Sequence, residues 1–122
     1  MKFFILVFVA ALITQGCYYD IEEELYPNAV NCNLPTTISL SQHINPILQN
    51  YNCLFCHSSG SASGNVILNT YTGIKTRVND GKLWGAINHL PGFSAMPQGG
   101  NKLTNCEIST IRAWIDAGAP NN

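Results

Sequence analysis

Five residues in a row carry the chemistry most easily read from this chain. Cys53-Leu54-Phe55-Cys56-His57 is a C-x-x-C-H pattern, the spacing at which a haem is attached covalently. Two thiols three residues apart can add across the two vinyl groups of a haem and hold it by thioether bonds. The next residue, His57, then lies under the iron, where its imidazole becomes the proximal ligand. A chain with five cysteines and three histidines in 122 residues is expected to contain about 0.005 such patterns by chance, so coincidence is a poor explanation. Two other chemistries use C-x-x-C. A zinc site needs a second C-x-x-C or a pair of histidines, whereas the remaining cysteines, Cys32 and Cys106, are single and distant. A thioredoxin-type redox site needs a strand–helix–strand setting, and the surroundings here read as helix and loop.

A second axial ligand can be sought by elimination. Apart from Met1, the only methionine is Met96, 39 residues beyond His57, in the loop Pro91-Gly92-Phe93-Ser94-Ala95-Met96-Pro97 with Gly99-Gly100 after it. A lone methionine ordinarily fills a gap in a core. One held between prolines and glycines is poorly placed for that and well placed to offer its thioether to iron, which raises the reduction potential. His89, at the start of the same loop, and His43, in the first helix, are the rival ligands; otherwise both are surface or hydrogen-bonding histidines. An open or water-filled sixth position is the remaining alternative.

The elements that must position these groups are helical. Ile44, Ile47, Leu48 and Tyr51 recur at three- and four-residue spacings and predict a first helix over 39–52, with Pro46 in or near its first turn. Cys53 to Ser63 is turn-rich, and Asn65–Asn69 reads as a short extended segment or an apolar turn. Two short helices follow over 70–79 and 82–88, separated by Asp80-Gly81, and a Gly/Pro-rich loop runs from Leu90 to Gly100. The last helix has the clearest signals. Thr104 and Glu107 fit a capping box, Ile108, Ile111, Trp114 and Ile115 form an apolar stripe, and Gly118 marks its end. About 90 residues of this kind make a thin core, which a prosthetic group or a covalent staple would help to fold.

Ahead of this domain the chain reads as an address. Lys2 precedes the eleven-residue apolar run Phe3–Ile13 and then Thr14-Gln15-Gly16-Cys17, the layout of a secretory signal peptide. Eleven residues span only about 16 Å as a helix, against a hydrocarbon core of roughly 30 Å. Gly16-Cys17 resembles the end of a lipobox, with Cys17 the lipidated N-terminus of the mature protein; Thr14 departs from that pattern, which prefers Leu there. Ordinary cleavage is the alternative. The expected organisation is therefore a signal peptide over 1–16, an acidic tether over 17–37 and a folded domain over 38–122. Four of the seven acids, Asp20, Glu22, Glu23 and Glu24, lie in the tether, where they read as a solvated linker or a surface-sorting signal.

Composition narrows the remaining classes. Charged residues are 11% of the chain, well under the roughly 25% of typical soluble domains, and fourteen asparagines supply much of the polar surface. Beyond residue 27, Lys75, Arg77, Lys82, Lys102 and Arg112 face Asp80, Glu107 and Asp116, a surplus of two positive charges that is too mild for a nucleic-acid footprint.

Cys53–His57, the Met96-Pro97-x-Gly99-Gly100 loop and the closing Ile111-Arg112-x-Trp114-Ile115-x-x-Gly118-Ala119 together resemble a monohaem cytochrome c domain of the small bacterial lipoprotein type, over about residues 38–120. The resemblance implies a mainly α, cytochrome c-like domain whose long loops wrap one covalently attached haem c. It implies that the first and last helices cross near the haem, with His57 and Met96 on its opposite faces. One departure is the thin charge around the haem loop. Many family members carry a lysine-rich docking ring, to which only Lys82 and Lys102 could contribute here.

With Cys17 assigned to lipid and Cys53 and Cys56 to haem, Cys32 and Cys106 remain. In an exported protein such a pair points to a disulfide, and a crosslink over so long a stretch is worth roughly 4 kcal/mol in the chain-entropy picture. Two buried free thiols are the alternative. The expected function is electron transfer rather than catalysis, because a haem with two axial ligands leaves no open iron site. The expected partners are redox proteins such as a membrane oxidase, reductase or dehydrogenase. The lipid anchor would hold the domain at a membrane, in the periplasm or at the outer membrane or cell surface. An open-site haem enzyme or gas sensor is the second reading, and a zinc or disulfide module the third.

Overall fold

The computed structural model describes residues 32–122; Cys17, the expected signal peptide over 1–16 and residues 17–31 of the expected tether lie outside them. Among the described residues the architecture is mainly helical, with no strand. Residues 33–37 are exposed, and Ile38 is the first buried residue.

The helix expected over 39–52 forms in two registers. Ser39 caps a π-helical turn, Leu40–Ile44, by accepting a hydrogen bond from the Gln42 N–H at 3.0 Å, and α1, Asn45–Asn50, follows without a break. The Asn45 N–H reaches back five residues to the Leu40 carbonyl. Pro46 explains the wide turn: it has no N–H to give, and its ring would press on the carbonyl four residues back in a regular α-helix. Ile44, Ile47 and Leu48 are buried as their spacing predicts.

Asn52 then takes a left-handed conformation (φ 53°), which a short polar side chain tolerates, and turns the chain into α2, Cys53–Cys56. Past a 3-10 turn at Ser63–Asn65, residues 66–69 form an irregular apolar segment that buries Leu68 rather than a strand. Helix α3, Tyr71–Asn79, is capped by Thr70, and α4, Lys82–Ile87, follows the turn at Asp80-Gly81.

The last helix, α5, is Asn105–Asp116, with both halves of the capping box formed between Thr104 and Glu107. It ends in a Schellman turn: the Gly118 N–H bonds the Ile115 carbonyl and the Ala119 N–H bonds the Trp114 carbonyl, with Gly118 at φ 88°. Trp114 is wholly buried, and its indole N–H donates to the Pro120 carbonyl at 3.0 Å.

Helix α5 packs against the π-helical turn, so the two ends of the domain meet. The Asn122 side chain and carbonyl accept hydrogen bonds from Leu40 N–H (2.9 Å) and Ser41 N–H (3.0 Å). The Tyr71 hydroxyl and Lys75 ammonium bind the Ala119 and Gly118 carbonyls, so α3 clamps the C-terminal turn from the other side. One core cluster runs through these elements, from Ile38 and Ile44 through Ile74 and Leu83 to Ile111 and Trp114.

Candidate functional site

The C-x-x-C-H residues occupy one helical turn and its exit. Cys53 and Cys56 are three apart on α2, which places them on the same side of the turn. Both are free thiols, Cys53 half-buried and Cys56 exposed. Burial pushes the Cys53 thiol above its ordinary pKa. His57 ends the turn and its backbone is fixed twice: its N–H donates to the Cys53 carbonyl at 2.9 Å, and its carbonyl accepts from the Leu68 N–H at 2.7 Å. The second bond is the structural use of the 66–69 segment, which anchors the chain directly behind the histidine.

His57 is 9% exposed, and its Nδ1 is buried without a hydrogen-bond partner. Buried ring nitrogens are nearly always partnered, and leaving one orphaned costs about 1–3 kcal/mol. A buried imidazole with an unspent nitrogen, one residue after two free thiols, fits what a c-type haem takes from its protein: two cysteine sulfurs for thioether bonds and one imidazole ligand. The same residues do not assemble an all-protein zinc site. Among the described residues, no three of His, Cys, Asp and Glu come together around a common point.

Met96 is half-buried in the loop that folds back onto α4. Its N–H donates to the Ala86 carbonyl at 3.0 Å, and its carbonyl accepts from His89 Nε2 at 2.9 Å. The loop is pinned at a third place, where the ring of Phe93 lies against Gly85; a β-carbon on Gly85 would collide with that ring. His89 turns the chain out of α4 with φ 57°. No hydrogen bond joins this loop to the Cys53–His57 turn among the described residues.

Both rival histidines spend a ring nitrogen on the backbone. His43 Nδ1 accepts from the Ser39 N–H at 3.0 Å, and His89 Nε2 binds the Met96 carbonyl. The role of His89 as a brace for Met96 was not legible in the sequence, where it stands only as another nitrogen near the loop.

Cys32 and Cys106 form a disulfide, with a sequence separation of 74 and a Cα–Cα distance of 5.4 Å. It staples the segment leading into the domain onto the first turn of α5. Beside it, Tyr51 donates a 2.5 Å hydrogen bond to Glu107 Oε2, tying the end of α1 to the capping box. Partial burial would raise the Glu107 carboxyl, but hydrogen bonds from Tyr51 and from the Thr104 hydroxyl and N–H outweigh it and hold the pKa below its ordinary value. The carboxylate pushes the Tyr51 hydroxyl up, through the hydrogen bond first and burial second. Capping by Thr104 and Glu107 was readable from sequence; the long-range partner Tyr51 was not, since nothing local marks it.

Comparison with protein-family models, curated proteins and solved structures finds no match for this chain.

Proposed function

We propose that this chain is an exported, lipid-anchored monohaem c-type cytochrome that carries electrons. Cys53 and Cys56 would form the two thioether bonds, His57 and Met96 would be the axial ligands, and Cys17 would carry the lipid. The observation that carries this reading is the division of the four described cysteines. Cys32 and Cys106 consume each other, while Cys53 and Cys56 stay free beside a buried histidine with an unpartnered nitrogen.

The packing of the first and last helical segments and the bracing of the Met96 loop on α4 support a cytochrome c-like arrangement. When bound, haem supplies a one-electron iron couple, and a thioether ligand raises its potential. The chain's own residues fix the histidine through the Cys53 and Leu68 backbone bonds and hold the methionine through Ala86, His89 and Phe93. The apolar run after Lys2 and the Gly16-Cys17 junction support export and lipidation. No helix among the described residues is long and apolar enough to cross a membrane.

Reduction of the holoprotein tests electron transfer against an open iron site. The expected result is reversible one-electron reduction to a low-spin spectrum that carbon monoxide leaves unchanged. Rapid carbon monoxide binding by the reduced protein would contradict a second axial ligand and favour the catalytic or sensing alternative.

A further inference from the structure

The segments that carry the candidate haem residues contain no formal charge. Between Glu24 and Lys75 there is no Asp, Glu, Lys or Arg, and there is none between Lys82 and Lys102. At 11% charged residues overall, the first interval alone would be expected to hold about five. The charges that the described residues do carry are largely committed elsewhere. Arg77 pairs with Asp80 and Arg112 with Asp116, both at 2.9 Å. Lys75 binds the Gly118 carbonyl, and Glu107 is held by Tyr51 and Thr104.

Within the longer uncharged interval, Phe55 is 82% exposed, the most exposed large apolar side chain among the described residues. A single exposed apolar residue is ordinary on a protein surface. Phe55 differs by its place, between the two free cysteines and next to the exposed Cys56. Around it in sequence, Asn50, Asn52, Ser59, Gly60 and Ser61 are exposed and uncharged. An aromatic centre with a neutral polar rim is the composition of a protein-docking patch, and charge is what such patches omit from their cores.

We propose that Phe55 centres the docking surface for electron exchange, and that the surface it accepts is an uncharged, apolar protein patch. The proposal rests on the haem reading above. Charge complementarity supplies the choice of occupant: a charged docking face on the partner would be desolvated here with nothing to pair it. A second copy of this domain meets the requirement, since its own Phe55 face is equally neutral. One electron then passes from a reduced to an oxidised copy, with no bond made or broken and no proton moved.

Electron self-exchange between reduced and oxidised holoprotein, measured by NMR line broadening, tests this. The wild-type rate is expected to change by no more than about twofold between low and high salt, because only weak net charge is there to screen. Phe55→Lys, its haem spectrum first compared with wild type, is expected to slow exchange about tenfold at low salt, with salt restoring part of the loss. Phe55→Ala is expected to slow exchange at every salt concentration. A wild-type rate that varies more than tenfold with salt, or Phe55→Lys and Phe55→Ala rates equal to wild type, would overturn the proposal while leaving the haem reading intact. A chain that carries no haem after maturation would end both, and absorbance shows that before any rate is measured.

Discussion

The imidazole of His89 donates through Nε2 to the carbonyl of Met96 at 2.9 Å, so the residue that opens the loop holds one seven positions further along it. Because a carbonyl only accepts, this bond fixes Nε2 as the protonated nitrogen. Together with the Met96 N–H on Ala86, it presents the methionine backbone in one place. Under the proposed ligation by Met96, a loop held this way would not have to be ordered again when the side chain binds iron.

If Met96 is the axial ligand proposed above, removing the brace is expected to weaken its hold. A hydrogen bond of this kind contributes about 1 kcal/mol, or roughly a fivefold change in an equilibrium. In oxidised His89→Ala holoprotein, added imidazole is expected to displace Met96 with about fivefold higher affinity than in wild type. His89→Gln, which keeps a donor of similar reach, is expected to recover part of the difference. Met96→Ala is expected to lose the long-wavelength methionine-to-iron band while keeping its covalent haem. Equal imidazole affinity in wild type and His89→Ala would remove His89 from the account.

Gly85 makes room for Phe93. Alanine would raise helix propensity by about 1 kcal/mol, but the new methyl meets the Phe93 ring. Overpacking of this kind costs about 1–3 kcal/mol, so Gly85→Ala is expected to lower stability and to disturb the Met96 loop. Thermal melting of the variant beside Phe93→Ala/Gly85→Ala checks the cause. If the clash is responsible, the double variant recovers most of the stability lost to Gly85→Ala alone.

Much of this architecture was legible before any coordinates. The capping box at Thr104, the stop at Gly118 and the stripe Ile108, Ile111, Trp114 and Ile115 are local signals; the cap and the stop form where expected, and three of the stripe are buried while Ile115, at its edge, is half-buried. Parity alone paired Cys32 with Cys106, and the two are bonded. The π-helical turn before Pro46 was not legible, since the sequence shows a missing donor but not how the backbone will absorb it. Nor were the contacts that fix the site: Leu68 to His57, His89 to Met96, Tyr51 to Glu107. These join residues through tertiary packing, which leaves no periodic trace. The segment 66–69 could be read either as extended chain or as an apolar turn, and the buried Leu68 settles it as an irregular anchor.

Glu107 makes stability depend on acid. Its carboxyl titrates below its ordinary value in the folded chain, so folding favours the ionised form. That contribution is present above the unfolded-state pKa, near 4.3, and is lost as pH falls through the lower folded value. For Tyr51 the direction is opposite: its raised pKa contributes below about 10 and is lost as pH rises through the folded value. Denaturant unfolding of Glu107→Gln, which keeps the capping-box geometry but removes the charge, is expected to show a loss of roughly 0.3–1 kcal/mol at neutral pH. That difference from wild type should shrink as the pH falls through the lowered folded-state value. A difference that does not change with pH would mean that the carboxylate charge has no part in the cap.

The disulfide closes most of the described chain into one loop. Cys32→Ser/Cys106→Ser is expected to lower stability by roughly 4 kcal/mol in the chain-entropy picture. Alkylation of the unreduced, haem-free chain lacking residues 1–31 apart from an initiating Met should label two cysteines, Cys53 and Cys56, with four labelled after reduction. Four labels before reduction would contradict the bond.

Covalent attachment of haem at Cys53 and Cys56 is the claim on which the rest depends. The direct measurement is the visible spectrum of the full-length protein, expressed with a cytochrome c maturation system and extracted with acidified acetone. The account predicts that the haem α-band stays with the precipitated polypeptide in wild type and is lost in Cys53→Ser/Cys56→Ser. A colourless wild-type chain, from cells that mature a control cytochrome normally, would contradict it.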